Sequence, residues 1–255
     1  MLMTRVMPCL LLDDGRLVKT IKFKSSRYVG DPINALKIYN GKEVDELILL
    51  DITATRQNRK PPFNIIEEVA SECFMPVAYG GGIRNIEDMK KIFSLGIEKI
   101  SINSYAAENP DFIKEAAYTF GSQSVIVSID VKRNAFGKYR VMTHGGTQNT
   151  KYDPVKYAQM FESHGAGEII INSINRDGTF EGYGINLLKS VTSAVSIPVI
   201  ALGGAGCVND IVRAVKEGGA SAAAAGSLFV YQGKGLGVLI NFPQREELEA
   251  GLKNG

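Results

Sequence analysis

The residues able to do chemistry fall into a few groups. Gly81-Gly82 with Asn103-Ser104, and Gly203-Gly204 with Gly226-Ser227, each combine exposed backbone N–H groups, expected at a helix start, with a hydroxyl. That combination suits a phosphate. One glycine pair serves a tight strand-to-helix turn equally well. Two pairs in equivalent places favour phosphate and imply a ligand with one phosphate at each end. Asp130 ends an apolar run containing Val125, Ile126, Val127 and Ile129. A carboxylate so placed has its pKa raised by desolvation, which suits general acid–base work. Helix capping or a salt bridge to Lys132 is the structural alternative. Lys19 lies where a loop can close over an anion, and an exposed lysine without a role is the competing reading. Arg5, Glu46, Lys99 and Glu168, two bases and two acids, each begin an apolar run. At one level of a barrel they can close a salt-bridge ring, a stability feature unless a partner docks on that face.

These residues need elements to position them. Short β-rich apolar runs at 5–12, 46–52, 75–80, 99–102, 124–131, 168–172, 197–202 and 221–226 alternate with segments of helical period, the pattern of repeated βα units. Asp31-Pro32, Asn109-Pro110 and Asp153-Pro154 read as helix starts, an Asx cap followed by a proline in the first turn. Pro76-Val77 followed by Gly81-Gly82 recurs as Pro198-Val199 followed by Gly203-Gly204, and the same offset pairs Glu46 with Glu168. A slightly shorter offset pairs 5–12 with 124–131. Eight strands in two such halves predict a single (β/α)8 barrel over 1–255, with half-barrels of about 1–120 and 121–255. In it, strand C-terminal ends carry function, which places Asp51, Asn103, Asp130, Asn172 and Asp177 at the mouth. Segments 15–30 and 132–151 read as long loops of the lid or binding kind. By the repeat, the counterpart of Asp130 is Leu11, an ordinary core residue. Asp13 and Asp14 lie just beyond it, before Gly15, where a solvated turn accounts for at least one of them.

Composition narrows the classes. The chain has 255 residues, 45% hydrophobic, with 29 basic against 27 acidic side chains and a formal charge of +2. Near-balance gives no reason to expect nucleic acid or an anionic membrane as partner. The longest apolar run, 221–230, is far short of the roughly 20 residues of a membrane span, and the N-terminus has no signal-peptide apolar region. The expected address is the cytoplasm. Cys9, Cys73 and Cys207, an odd number without CxxC spacing, read as buried small hydrophobes rather than disulfide or metal ligands. No metal or cofactor is expected. Two histidines, His144 and His164, leave acid–base work to carboxylates.

DELILLDITAT (45–55), YGGGI (79–83), KISINSYAAENP (99–110), FGSQSVIVSIDVKR (120–133), GAGEI with NRDGT (165–179) and GGAG (203–206) make the chain resemble the HisF family. These are the cyclase subunits of imidazole glycerol phosphate synthase, and the resemblance covers essentially the whole length. It implies a (β/α)8 barrel whose N-terminal face binds a HisH-like glutaminase. Ammonia enters at the barrel bottom and meets a bisphosphorylated ribonucleotide at the top. It implies that Arg5, Glu46, Lys99 and Glu168 are the ammonia gate. Gly82, Asn103 and Ser104 would hold one phosphate, and Asp177, Gly178, Gly204, Gly226 and Ser227 the other. Asp130 matches one of two catalytic aspartates.

The other aspartate is missing. The family motif CLD on the first strand reads Cys9-Leu10-Leu11 here, and a positioned acid or base is worth on the order of 10²–10⁴ in rate. Asp13 shares Leu11's strand face but lies about 6–7 Å further along. Asn175 and Leu202 also replace family residues that are more acidic or hydroxylated. PCLLLDDGRLVKT (8–20), YVGDPINA (28–35) and AGSLFVYQGKGLGVLINFP (225–243) resemble HisF-type paralogues of surface-polysaccharide gene clusters, where a HisF–HisH-like pair delivers ammonia to a sugar amidotransferase. The expectation is therefore an ammonia-using synthase subunit of a glutamine amidotransferase acting in amidation of a nucleotide-linked amino sugar. One alternative is an authentic histidine-pathway cyclase with Asp13 or Asp14 as substitute acid. Another is a catalytically silent channel that activates its glutaminase. A related sugar-ring isomerase also wants a carboxylate at position 11.

Overall fold

Alternation along each strand decides the architecture. In β1 (Arg5–Asp13), Met7 and Cys9 face an enclosed axis while Val6, Leu10 and Leu12 face a surrounding layer. The computed structural model describes residues 4–232 and 237–253. After β1 come β2 (Arg16–Ile21), β3 (Lys24–Gly30), α1 (Pro32–Asn40), β4 (Leu47–Asp51), α2 (Phe63–Glu72), β5 (Val77–Gly80), α3 (Ile86–Ser94), β6 (Lys99–Ile102), α4 (Ser104–Glu108) and α5 (Asp111–Phe120). The second half runs through β7 (Val125–Arg133), β8 (Tyr139–Thr143), β9 (Gln148–Asn149), α6 (Pro154–Ser163), β10 (Glu168–Ser173), α7 (Ile185–Thr192), β11 (Val199–Leu202), α8 (Val208–Lys216), β12 (Ala222–Ala225) and α9 (Ser227–Val230). A two-stranded ribbon, β13 (Tyr231–Gln232) and β14 (Gly237–Val238), and α10 (Arg245–Lys253) end the described chain. The motif at 225–243 runs across 233–236, which lie outside the described residues, as do 1–3 and 254–255.

β1, β4, β5, β6, β7, β10, β11 and β12 pair in parallel in that order, and β12 pairs back to β1. The result is a closed (β/α)8 barrel, as the alternating pattern predicts. Closure removes sheet edges and creates two apolar layers. Met7, Ile48, Ala78, Ile126, Ile170, Ile200 and Ala222 fill the barrel, and the opposite faces of the same strands pack on the helices.

Local expectations meet mixed outcomes. Asp31 and Asp153 cap α1 and α6 through their side chains, with Pro32 and Pro154 in the first turns. Asn109 caps nothing. It closes α4 instead, its N–H bonded to Tyr105 O, so α5 starts after Pro110 without a side-chain cap. Segments 15–30 and 132–151 are folded hairpins rather than loops. Asp14 and Gly15, at φ +50° and +77°, turn β1 back into β2. β7 runs past Asp130 to Arg133 and pairs antiparallel with β8. Each hairpin follows the first strand of a half-barrel, so the internal repeat extends to them. The glycine pairs do not open long helices either. α3 and α8 begin four or so residues later, and the helix starts near them are those of α4 and α9, at Ser104 and Ser227. Of the cysteines only Cys9 is buried; Cys73 is partly exposed, and Cys207 is exposed at the N-cap of α8.

Candidate functional site

The C-terminal ends of the barrel strands form a mouth with two unlike sides. Parallel register sets Leu11 of β1 beside Leu50 of β4, and with Leu202 of β11 they make an apolar wall. Asn103, Asp130 and Asn172, after or on β6, β7 and β10, line the mouth as well.

Asp130 is nearly buried, and neither alternative for it applies. It caps no helix, and no ion pair joins it to Lys132, which is exposed. Its partners are two amides: Asn172 Nδ2 donates to Oδ1 and Asn103 Nδ2 to Oδ2, both at 3.2 Å. Asn103 Nδ2 also donates to Ser128 O at 2.8 Å, which fixes the amide orientation. Burial pushes the Asp130 pKa up to about 7; the Asn172 and Asn103 bonds pull it down, and the charge of Asp177 adds to the rise. A carboxyl there exchanges a proton near neutral pH.

The two glycine ends lie on opposite sides of this mouth. On one, Gly81 sits so close to Asp51 that a Cβ would meet Asp51 O at 2.5 Å, and Gly82 faces Arg59 O at 2.7 Å, with φ +125° and +73°. Asp51 holds the adjoining turn by accepting from Thr53 N, Thr53 Oγ1 and Ala54 N. Ser104 Oγ accepts from His144 N at 2.9 Å and donates to Asn103 Oδ1 at 3.1 Å. Arg56 and Arg84 line this end, two cations that the sequence reading missed; their signal was proximity to the glycine cluster. On the other side, Gly203, Gly204, Gly226 and Ser227 line the mouth with Asp177 and Gly178. Asp177 Oδ2 accepts from Thr20 Oγ1 at 3.0 Å, and its main-chain O from Lys22 N at 2.9 Å, which ties the β2–β3 hairpin to the loop after β10. Burial raises the Asp177 pKa, with Thr20 and Lys19 opposing.

Lys19 is not in an exposed loop. It lies on β2, 4% exposed, and its ammonium donates to Cys9 O of the neighbouring strand β1. A Cβ on Gly226 would stand 2.5 Å from Lys19 Nζ, so glycine is what admits the ammonium. Burial lowers the Lys19 pKa, countered in part by Cys9 and Asp177. Its closest ionic neighbours leave it without an ion pair among the described residues, a cation held over a ligand-sized opening.

Asp13 and Asp14 do not reach the mouth. Asp13 Oδ2 accepts from Ser26 Oγ at 3.1 Å on the hairpin, and Asp14 is an exposed turn residue. Neither stands near Leu11's place in the lining. Asn175 also points elsewhere, its Oδ1 accepting from Arg133 N at 2.6 Å.

At the opposite end of the barrel the four charged residues close a cycle. Arg5 Nη1 meets Glu46 Oε2 at 2.5 Å, Glu46 Oε1 meets Lys99 Nζ at 2.9 Å, Lys99 Nζ meets Glu168 Oε1 at 2.8 Å, and Glu168 Oε2 meets Arg5 Nη2 at 3.0 Å. Burial works against the Arg5 charge, but the hydrogen bonds and charges of Glu168 and Glu46 outweigh it and raise its pKa. Between ring and mouth the interior is apolar apart from hydroxyls such as that of Ser101, which is buried without a partner. Among the described residues no group of three His, Cys, Asp or Glu is placed to hold a metal ion, and no helix is long and apolar enough to cross a membrane.

The family model described as histidine biosynthesis protein matches residues 5–235. Three relatives carry the name "Putative imidazole glycerol phosphate synthase subunit". The one designated hisF2, of Pseudomonas aeruginosa, is 51% identical over 251 residues, 98% of this chain and 100% of its own. That of Leptospira interrogans, HisF, is 47% identical over 251 residues, covering 98% and 99%. The hisF3 of Vibrio vulnificus is 45% identical over 254 residues, covering 99% and 98%.

Proposed function

This chain belongs to the histidine biosynthesis protein family, and from that premise we propose that it is the ammonia-using synthase subunit of a glutamine amidotransferase. The observation that carries the reading is the pairing of a complete charged ring at one end of an apolar barrel with a mouth in which Leu11 stands opposite Asp130, while the other lining acids, Asp51 and Asp177, are engaged by Thr53, Ala54 and Thr20. A ring of four ions is an expensive way to stabilise a barrel floor, since desolvation offsets most of the attraction. Its place as a charged layer below an apolar interior suits a gate for ammonia. The neutral molecule crosses apolar walls that exclude ammonium, with Ser101 Oγ as a hydrogen-bonding stop.

A HisH-like glutaminase is the partner at the ring end. Phe74, 87% exposed, and Tyr118, 95% exposed, lie in segments that lead into β5 and β7, on that same side, and large exposed aromatics suit a docking face. The chain works as one barrel over 1–255 whose halves, about 1–120 and 121–255, each supply one anion end. Gly82, Asn103 and Ser104 take one phosphate of a phosphorylated ligand. Asp177, Gly178, Gly204, Gly226 and Ser227 take the other, with Lys19 above it. Asp130 serves as the single general acid–base.

With Leu11 in place of a carboxylate opposite Asp130, the mouth suits a single proton transfer at Asp130, and an efficient cyclization by two facing carboxylates lacks its second group. The reading is therefore amidation of a nucleotide-linked amino sugar in surface-polysaccharide biosynthesis, with a sugar amidotransferase as further partner, rather than histidine-pathway synthesis. The test is turnover of the histidine-pathway ribonucleotide by this chain with a glutaminase subunit and ¹⁵N-amide glutamine. Slow or absent cyclization, with the nitrogen appearing instead in the amidated sugar when the amidotransferase is added, supports the proposal. Rapid cyclization of the ribonucleotide by the unmodified chain overturns it.

A further inference from the structure

A cleft of about 720 Å³ opens on the outer side of the loop that carries Asp177 and Gly178, and it shares no lining residue with the mouth. Its walls are the β7–β8 hairpin, the segment 173–186 and Arg213 of α8. Three guanidinium groups, of Arg133, Arg176 and Arg213, line it against one carboxylate, the exposed Glu181. Each arginine already has a partner on this chain. Arg133 Nε donates to Gly137 O at 3.1 Å, and Arg176 Nη1 to Glu181 O at 2.7 Å and Gly182 O at 3.0 Å. Arg213 pairs with Glu217 through Nε at 2.9 Å and Nη2 at 3.1 Å. A guanidinium has five N–H donors, so each keeps donors beyond these contacts.

Two further features point the same way. Ser173 has the outward parity on β10, opposite to that of Asn172, and lines this cleft rather than the mouth. It is 7% exposed, and its hydroxyl makes no hydrogen bond to another described residue, which leaves it free to meet a ligand. α7 begins beside it behind Gly184, with no side-chain cap on its first N–H groups, so the positive end of the helix is open to the cleft.

We propose that this cleft is a second anion site, taking the phosphate group of a small organic phosphate independently of whatever the mouth binds. Forked guanidinium donors, a hydroxyl and a helix N-terminus together match a tetrahedral oxyanion with several acceptor oxygens. Arg176 lines the cleft with its guanidinium end while its Cβ stands against Gly204, 2.9 Å from where a Cβ there would lie. An anion in the cleft therefore steadies the loop that forms one end of the mouth.

The experiment is a titration of the full chain with inorganic pyrophosphate at low salt, read by calorimetry and by amide NMR shifts. Binding is expected at the cleft and at the two ends of the mouth. Ser173→Ala with Arg213→Gln weakens the cleft event by about tenfold or more, as loss of hydrogen bonds to a charged group does, and leaves the mouth events unchanged. Ser104→Ala with Ser227→Ala, one at each end of the mouth, weakens the mouth events and leaves the cleft unchanged. The unmodified chain gives a second readout that needs no variant: pyrophosphate shifts the amides of Arg176, Asn186 and Leu187. A single event abolished by the mouth variants overturns the proposal, as do unmoved amides at 173–187 or binding only at tens of millimolar, an adventitious ion only. None of these outcomes bears on ammonia use, so this site and the proposed reaction fail separately.

Discussion

Leu11→Asp puts a carboxylate on the inward face of β1, level with Leu50 and across the mouth from Asp130. If a missing acid–base group is what limits cyclization, the gain is that of one positioned group, on the order of 10²–10⁴ in rate, or about 3–5 kcal/mol of barrier. The cost in stability is modest. Leu11 is only partly buried, so its replacement forgoes less than the ~1.5–3 kcal/mol of a fully buried leucine, against a total of about 5–15 kcal/mol for a domain. The new carboxylate sits against Leu50 and Leu202 and faces Asp130, whose pKa already stands at about 7. Desolvation and like charge then raise both, and the pair titrates as a unit, with its basic limb moved above pH 7. The assay is ammonium-dependent turnover of the histidine-pathway ribonucleotide by the barrel alone, at pH values from 6 to 9. A variant that melts like the parent yet shows no gain refutes the assignment of Leu11 as the missing acid. So does a parent that already turns over at the rate of the variant.

Other outcomes follow from the same geometry. The pKa of Asp130 is raised from 3.8 to about 7, so its contribution to stability is fully present below about pH 4 and is lost as pH rises through 7. Asp130→Asn should flatten this loss, worth on the order of a few kcal/mol between pH 4 and 8, and parallel denaturant-midpoint curves for variant and parent would sink the account. Glu46→Gln leaves Arg5 and Lys99 facing Glu168 alone; with Glu46 at 4% exposure, urea unfolding should show a loss near the lower end of ~3–5 kcal/mol, and a midpoint that does not move contradicts the ring's coupling. Gly226→Ala should displace Lys19 from Cys9 O, with no backbone strain at φ −100°, and speed hydrogen exchange at 16–21 while the melting point moves by a few degrees at most. Unchanged protection of β2 would show that the ammonium keeps its place by other means.

Much of this molecule is local and therefore legible along the chain. Position in the apolar runs assigns Arg5, Glu46, Lys99 and Glu168, which begin them, to one end and Asp130, which ends one, to the other, and parity turns all five inward because side chains alternate regardless of what surrounds them. Asp31 and Asp153 cap their helices for the same reason, their partners lying two to three residues away. The hairpin at Asp14-Gly15 was also written in the sequence: an Asp-Gly pair between apolar runs is a turn signal, and reading the segment as loop overlooked it. Asn109 failed as a cap because the end of α4 had already claimed its backbone.

Barrel closure decided the rest. Asn103 and Asn172 meet at Asp130 from strands 27 and 42 residues away, a contact set by the stagger of β6, β7 and β10 and by no spacing in the chain. The raised pKa of Asp130 depends on that enclosure, since desolvation is a property of surroundings. Lys19 lies buried because the hairpin folds back over Gly226, the residue after β12, the strand that β1 meets when the cylinder shuts. The sequence by itself determined which residues face inward and at which end. The tertiary structure decided which of them touch, because contacts across a closed sheet follow its stagger and not distance along the chain.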